Sequence, residues 1–67
     1  MGVFDLKLYI KEFREATGLS LTQLANKSKV SVSYLSEVER GQKMPSLTIL
    51  CKIANGLGVN SKDLYDC

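Results

Sequence analysis

The sequence predicts an all-α, single-domain protein of five short helices. Apolar residues recur at helical spacing along its 67 residues, and no stretch alternates strictly enough to indicate a strand. Serine or asparagine stands at four of the five expected helix starts. The composition, 45% hydrophobic and 24% charged, is typical of a folded globular domain, and a chain this short holds one thin core. We therefore expect one domain over residues 1–67.

Capping residues and periodicity delimit the elements. The helices are expected at about residues 4–16, 21–27, 31–40, 47–57 and from 61 onward. Side chains that can accept a hydrogen bond from a free backbone N–H group precede the last four: Ser20, Ser31, Ser46 and Asn60. Glycines that favour a left-handed C-terminal cap follow the first, third and fourth helices: Gly18, Gly41 and Gly58. The inward faces combine apolar residues at helical spacing: Leu6, Ile10, Phe13, Leu21, Leu24, Ala25, Leu35, Val38, Leu47, Leu50, Ile53, Ala54, Leu57 and Leu64.

The composition excludes several classes of function. Without histidine there is no Ser-His or Cys-His pair, and the two cysteines, Cys51 and Cys67, are too far apart for a metal knuckle. No apolar run approaches the ~20 residues that cross a membrane, and no signal peptide is evident. We expect a cytoplasmic, non-enzymatic protein without metal or cofactor, with Cys51 as a small apolar residue of the fourth helix. The formal net charge of +2 does not identify a partner.

One face of the third helix is polar and carries short side chains. At 100° per residue from Val32, the side chains of Ser36, Ser33 and Glu37 lie at about 40°, 100° and 140°, and the apolar residues lie on the other side. Hydroxyl and carboxylate groups can hydrogen-bond to base edges, and valine can pack on a thymine methyl group. A solvated helix face produces the same pattern, so the pattern alone leaves both interpretations open.

Four stretches agree in spacing with a known family. They are Leu19-Ser20-Leu21-Thr22-Gln23-Leu24-Ala25, then Val30-Ser31-Val32-Ser33-Tyr34-Leu35-Ser36-Glu37-Val38-Glu39-Arg40-Gly41, then Pro45-Ser46 with Leu57-Gly58-Val59. Together they closely resemble the Cro/C1-type helix-turn-helix domain of phage repressors and small bacterial regulators. The resemblance covers about residues 6–65. It implies a compact five-helix, lambda-repressor-like fold, with the motif at residues 21–40 and the helix at 31–40 in the major groove of double-stranded DNA.

Matched positions imply two sets of DNA contacts and one structural ion pair. Side chains implied to read bases are Val32, Ser33, Ser36 and Glu37. Side chains implied to bind or approach phosphates are Ser20, Thr22, Ser31, Tyr34, Arg40, Lys43 and Ser46. Helix N-termini and cations suit phosphates, which agrees with the second set. The resemblance also implies that Arg14 and Glu39 form a bidentate ion pair; two unrelated surface charges are the alternative.

Four residues differ from what the family pattern or helix propensity favours. Lys29 stands where the family most often has glycine, and a left-handed lysine there would cost about 1 kcal/mol. Leu21 replaces a glutamine that braces the first reading residue in some phage members. Glu37 either accepts from a cytosine amino group or is a solvated acid balanced by basic neighbours. Gly56 weakens the end of the fourth helix by about 1 kcal/mol relative to alanine, with no functional reason in the sequence.

The expected function is therefore that of a sequence-specific, repressor-like transcriptional regulator. The family usually binds as a homodimer, and the candidate interface is Val59, Leu64 and Tyr65. Of these, Leu64 is better explained as part of the monomer's core, and Tyr65 is the better interface candidate. No small-molecule effector is evident. A helical protein-interaction module that does not bind DNA is the alternative from another class. An antitoxin or a restriction–modification controller is an alternative within the same fold.

Overall fold

The computed structural model describes residues 7–66 and is mostly helical within that range. Its elements in chain order are β1 (Lys7–Leu8), α1 (Ile10–Ala16), α2 (Leu21–Ser28), α3 (Val32–Glu39), α4 (Leu47–Leu57), a 3-10 helix (Ser61–Leu64) and β2 (Tyr65–Asp66). The predictions made for Phe4, Leu6 and Cys67 lie outside the described residues.

A two-stranded antiparallel ladder joins the two ends of this region, which the sequence did not predict. Lys7 lies opposite Asp66 and Leu8 opposite Tyr65. The Tyr9 N–H donates to the Leu64 carbonyl at 2.8 Å rather than to a helical partner, and the Tyr9 side chain does not cap α1. Helix α1 therefore begins at Ile10, and the prediction that residues 7–9 are helical was wrong. The backbone groups of this segment instead find partners at the other end of the chain.

The predicted fifth helix is a single turn of 3-10 helix, so the structure contains four α-helices within residues 7–66. The Asp63 N–H donates to the Asn60 carbonyl at 2.9 Å, whereas the Asn60 side chain forms no capping hydrogen bond. Hydrogen bonds between residues three apart complete a turn in fewer residues than an α-helix needs. The tighter turn suits this segment because the chain enters β2 directly after Leu64.

Serine caps begin helices α2, α3 and α4, as predicted. The Ser20 hydroxyl accepts from the Gln23 N–H at 3.1 Å, and the Gln23 side-chain oxygen accepts from the Ser20 N–H at 2.8 Å, which completes a capping box. Ser31 and Ser46 cap α3 and α4 by accepting from the N–H three residues further on, at 3.0 and 3.2 Å. These bonds satisfy helix N–H groups that have no partner within the helix.

The core lies between α2 and α4 and is closed by α1, α3 and the 3-10 helix. Its buried apolar side chains are Ile10, Leu24, Ala25, Leu35, Val38, Leu50, Ile53, Ala54, Leu57 and Leu64. Leu64 has no exposed surface and completes the core of its own chain, which is the role that the sequence favoured for it, so it leaves the set of candidate interface residues. Leu47 of α4 was expected on the inward face but is 67% exposed, and Cys51 on the same helix is also exposed.

The structure supplies a reason for Gly56. A Cβ atom at this position would lie 2.6 Å from the Ser28 Oγ and 3.1 Å from the Leu24 Cδ1. Ser28 is buried, and its hydroxyl has no hydrogen-bond partner among residues 7–66. Helix α4 can therefore approach α2 at this point only because residue 56 has no side chain.

Candidate nucleic-acid interface

Helices α2 and α3 are joined by a turn of three residues, 29–31. Lys29 adopts the left-handed conformation, with φ 60° and ψ 40°, and is the one non-glycine residue of positive φ within residues 7–66. The next N–H, of Val30, donates to the Ala25 carbonyl at 3.1 Å and closes the end of α2. Ala25 itself is fully buried, and its small side chain allows α3 to pack close behind the turn.

Helix α3 has one buried face and one accessible face. Leu35 and Val38 lie in the core, so the inner face anchors the helix. The four side chains predicted to read bases are half-buried or exposed: Val32, Ser33, Ser36 and Glu37. Val32 is 37% exposed, which is high for an apolar side chain. The structure thus leaves these four residues accessible on a helix that the core holds from the other side.

The residues predicted to bind phosphates lie at helix starts and at the end of α3. All are exposed except Tyr34, which is half-buried: Ser20, Thr22, Ser31, Tyr34, Arg40, Lys43 and Ser46. Among them, the three capping serines accept a backbone N–H, which leaves each hydroxyl proton free to be donated to an anion. The first turns of α2, α3 and α4 contain no acidic residue. Their positive dipole ends are therefore not neutralised locally.

A basic cleft adjoins the C-terminal end of α3. Arg40 and Lys43 line it together with Lys7, which comes from β1. The sequence placed Lys7 on a helix and so did not connect it with these cations. The strand is only two residues long, too short for an alternation of polar and apolar residues to indicate it in the sequence. In the structure, the Lys7 ammonium lies 5.6 Å from the centroid of the Tyr9 ring, within the range of a cation–π contact.

A bidentate ion pair ties the end of α3 to α1. The Arg14 Nε donates to the Glu39 Oε2 at 2.8 Å, and its Nη2 donates to the Oε1 at 3.1 Å. The remaining Arg14 nitrogen, Nη1, donates to the Leu19 carbonyl at 3.0 Å. The side chains of Arg14 and Glu39 are only 14% and 6% exposed, and the hydrogen bond to Glu39 raises the pKa of the guanidinium above its ordinary value. The bidentate pair fixes the orientation of α3.

Residues 7–66 contain no group of three metal-ligating side chains. None of the helices in that range is both long enough and apolar enough to span a membrane.

Comparison with known proteins places this geometry in a family. Residues 10–64 match a family model described as helix-turn-helix, HTH_3. The chain is 46% identical over 57 residues to the HTH-type transcriptional regulator Rv0474 of Mycobacterium tuberculosis, which covers 85% of this chain and 41% of that protein. It is 43% identical over 58 residues to the HTH-type transcriptional regulator SinR of Bacillus subtilis, covering 85% and 52%. The chain thus spans about half, or less, of the length of these relatives.

Solved structures agree with the sequence comparison. The restriction-modification controller protein C.AhdI from Aeromonas hydrophila superposes with a TM-score of 0.79 at 39% identity, over 81% of this chain and 82% of that chain. A structure of SinR, master regulator for biofilm formation, in complex with DNA superposes with a TM-score of 0.75 at 41% identity, over 79% and 86%. Since the family model spans most of the described helices, the chain belongs to the Cro/C1-type helix-turn-helix family of transcriptional regulators.

Proposed function

We propose that this chain is a sequence-specific, non-catalytic DNA-binding regulator of repressor type whose helix α3 enters the major groove. The observation that carries the proposal is the division of α3 into an anchored face and a free one. The core and the Glu39 carboxylate hold the helix from behind, while its outer face bears short side chains that are accessible. A helix held rigidly by its scaffold can place side chains against base edges with a defined register. Its place of action is the cytoplasm, where the DNA of a bacterium lies.

Affinity and specificity fall to different residues in this proposal. The outer residues of α3, from Val32 to Glu37, read the bases. The capped starts of α2, α3 and α4 and the cations Arg40 and Lys43 hold the phosphates, and Lys7 adds a third cation beside them. Phosphate contacts supply most of the affinity and make it fall with salt, whereas base contacts select the sequence.

We also propose that the protein binds as a homodimer on a two-fold symmetric site. One module of this size makes few phosphate contacts, and two copies on half-sites about one helical turn apart would bind far more tightly. With Leu64 in the core, the remaining interface candidates are Val59 and Tyr65, which are half-buried in the single chain. Sedimentation of the protein on a full site and on a half-site would measure the stoichiometry directly. One chain per full site would contradict the dimer.

The function is tested by titrating a fluorescent duplex, selected from a random library, at several salt concentrations. We expect binding whose logarithm falls linearly with the logarithm of salt concentration. Lys43→Ala should reduce that slope by about 1 for each phosphate that the variant no longer binds, without changing the selected sequence. Lys52→Ala is the matched control, since Lys52 is exposed on α4 and is not among the proposed contacts. Absence of binding to any duplex at low salt would favour a protein-interaction module instead.

A further inference from the structure

The Glu37 carboxylate stands alone on the outer face of α3. Within residues 7–66 the ion pair that forms is Arg14–Glu39, and no side-chain hydrogen bond reaches Glu37. A basic residue lies three positions further along the helix, a spacing at which oppositely charged side chains often form an ion pair. That residue, Arg40, instead directs its Nε toward the Ser36 carbonyl at 3.4 Å. The interpretation in which basic neighbours neutralise Glu37 therefore has no support in the structure.

An unneutralised carboxylate on a DNA-binding face carries a cost that a base contact can offset. It is repelled by phosphates, and it loses hydration when the groove closes over it. An ionised carboxylate is only an acceptor, so the groove must supply a donor. In the major groove the donors are the N4 amino group of cytosine and the N6 amino group of adenine. Guanine and thymine present acceptors there and would leave the charge without a hydrogen bond.

The surroundings of the two amino groups favour cytosine. In an A·T pair the adenine amino group lies between two acceptors, the adenine N7 and the thymine O4. The second oxygen of a carboxylate would face one of these acceptors. In a C·G pair the cytosine amino group has an acceptor, the guanine O6, on one side, and a carbon-bound hydrogen on the other. A carboxylate can therefore approach the cytosine amino group without placing either oxygen against an acceptor.

We propose, on the basis of the proposed function, that Glu37 is a specificity-determining residue that accepts a hydrogen bond from the N4 amino group of one cytosine in each half-site. The same charge weakens binding wherever that cytosine is missing, because the carboxylate then meets phosphates and acceptors only. Glu37 thus acts in two ways: it strengthens binding to sites with that cytosine and lowers the affinity for all other DNA.

The test compares the wild-type protein with Glu37→Gln, whose side chain has nearly the same shape but carries a donor and no charge. Duplexes selected by the wild-type protein are varied one base pair at a time, and the affinities of both proteins are measured by anisotropy. At one position per half-site the wild-type protein should prefer cytosine to adenine by about tenfold. The glutamine variant should prefer adenine there, since its amide can pair with the adenine N6 and N7. Its affinity for an unrelated duplex should rise.

Two controls keep the outcome interpretable. Glu12→Gln removes an exposed acid of α1 and should change neither the preferred base nor the affinity for unrelated DNA. Glu37→Ala should abolish the preference at the same position while leaving the melting temperature unchanged, since within residues 7–66 Glu37 has no side-chain partner to lose. If the wild-type protein binds its selected duplex tightly but no position changes preference in either Glu37 variant, the inference is wrong and the proposed function stands. If the wild-type protein binds no duplex, both are wrong.

Discussion

Replacing Gly56 with alanine tests the packing of α4 against α2, because helix propensity and packing predict opposite signs. Alanine is the better helix former, and by propensity alone it would stabilise the domain by at most about 1 kcal/mol. The added Cβ atom, however, would lie 2.6 Å from the Ser28 Oγ, closer than real Cβ atoms approach a neighbour. Either the serine or the helix must move, and overpacking of this kind costs about 1–3 kcal/mol.

The net expectation for Gly56→Ala is a loss of about 1 kcal/mol, since overpacking exceeds the gain in propensity. In a domain of this size that loss lowers the melting temperature by about 4–8 °C. Ser28→Ala should have the opposite effect. It removes a buried hydroxyl that has no partner within residues 7–66, and burial of such a group costs about 1–3 kcal/mol.

The double variant separates the two contributions. Without the Ser28 Oγ, the new Cβ would meet the flexible end of Leu24 at 3.1 Å and the Lys27 Cβ at 3.3 Å. Gly56→Ala should then be neutral or stabilising, which gives a coupling energy of about 1–2 kcal/mol between the two positions. Thermal and urea unfolding followed by circular dichroism would measure all four proteins. If Gly56→Ala raises the melting temperature with Ser28 present, or if the two effects simply add, the inferred overlap is wrong.

Two further substitutions test the turn and the ion pair. Glu39→Ala leaves the Arg14 guanidinium largely buried without its partner, so unfolding free energy should fall by about 3 kcal/mol and DNA binding should weaken with it. Unchanged melting would contradict this, and Glu12→Ala is the exposed control. Lys29→Gly should raise stability by about 1 kcal/mol because glycine adopts the left-handed turn without steric cost. A lower melting temperature would show that the Lys29 side chain contributes contacts that outweigh the strain.

The helix starts at residues 21, 32 and 47 could be predicted because capping is a local interaction. A serine oxygen reaches the N–H three residues further on, so both partners stand within one short stretch of sequence. The left-handed conformation of Lys29 and the Arg14–Glu39 geometry were expected from a family resemblance rather than from local rules. Both features depend on how the helices pack together, which no short stretch of sequence determines.

The features that the sequence did not predict depend on distant partners. The pairing of Leu8 with Tyr65 joins the two ends of the described region, and nothing near either residue announces it. The role of Gly56 depends on Ser28 of another helix, so propensity alone suggested the opposite sign of effect. Helical spacing grouped Leu47 with the inward apolar residues of α4, yet it is 67% exposed. Periodicity identifies the apolar face of a helix. It does not show how far along the helix the neighbouring elements cover that face.

Helix α3 is eight residues long, and a helix of that length is not stable in water by itself. Its conformation and direction must therefore come from the contacts of its inner face and its last residue: Leu35, Val38 and Glu39. The outer residues Ser33 and Glu37 form no side-chain hydrogen bond within residues 7–66 and lie outside the core. The residues that anchor α3 and the residues proposed to read bases are thus different residues of one short helix. Substitutions on the outer face can consequently change the DNA sequence that is read while the orientation of the helix stays the same.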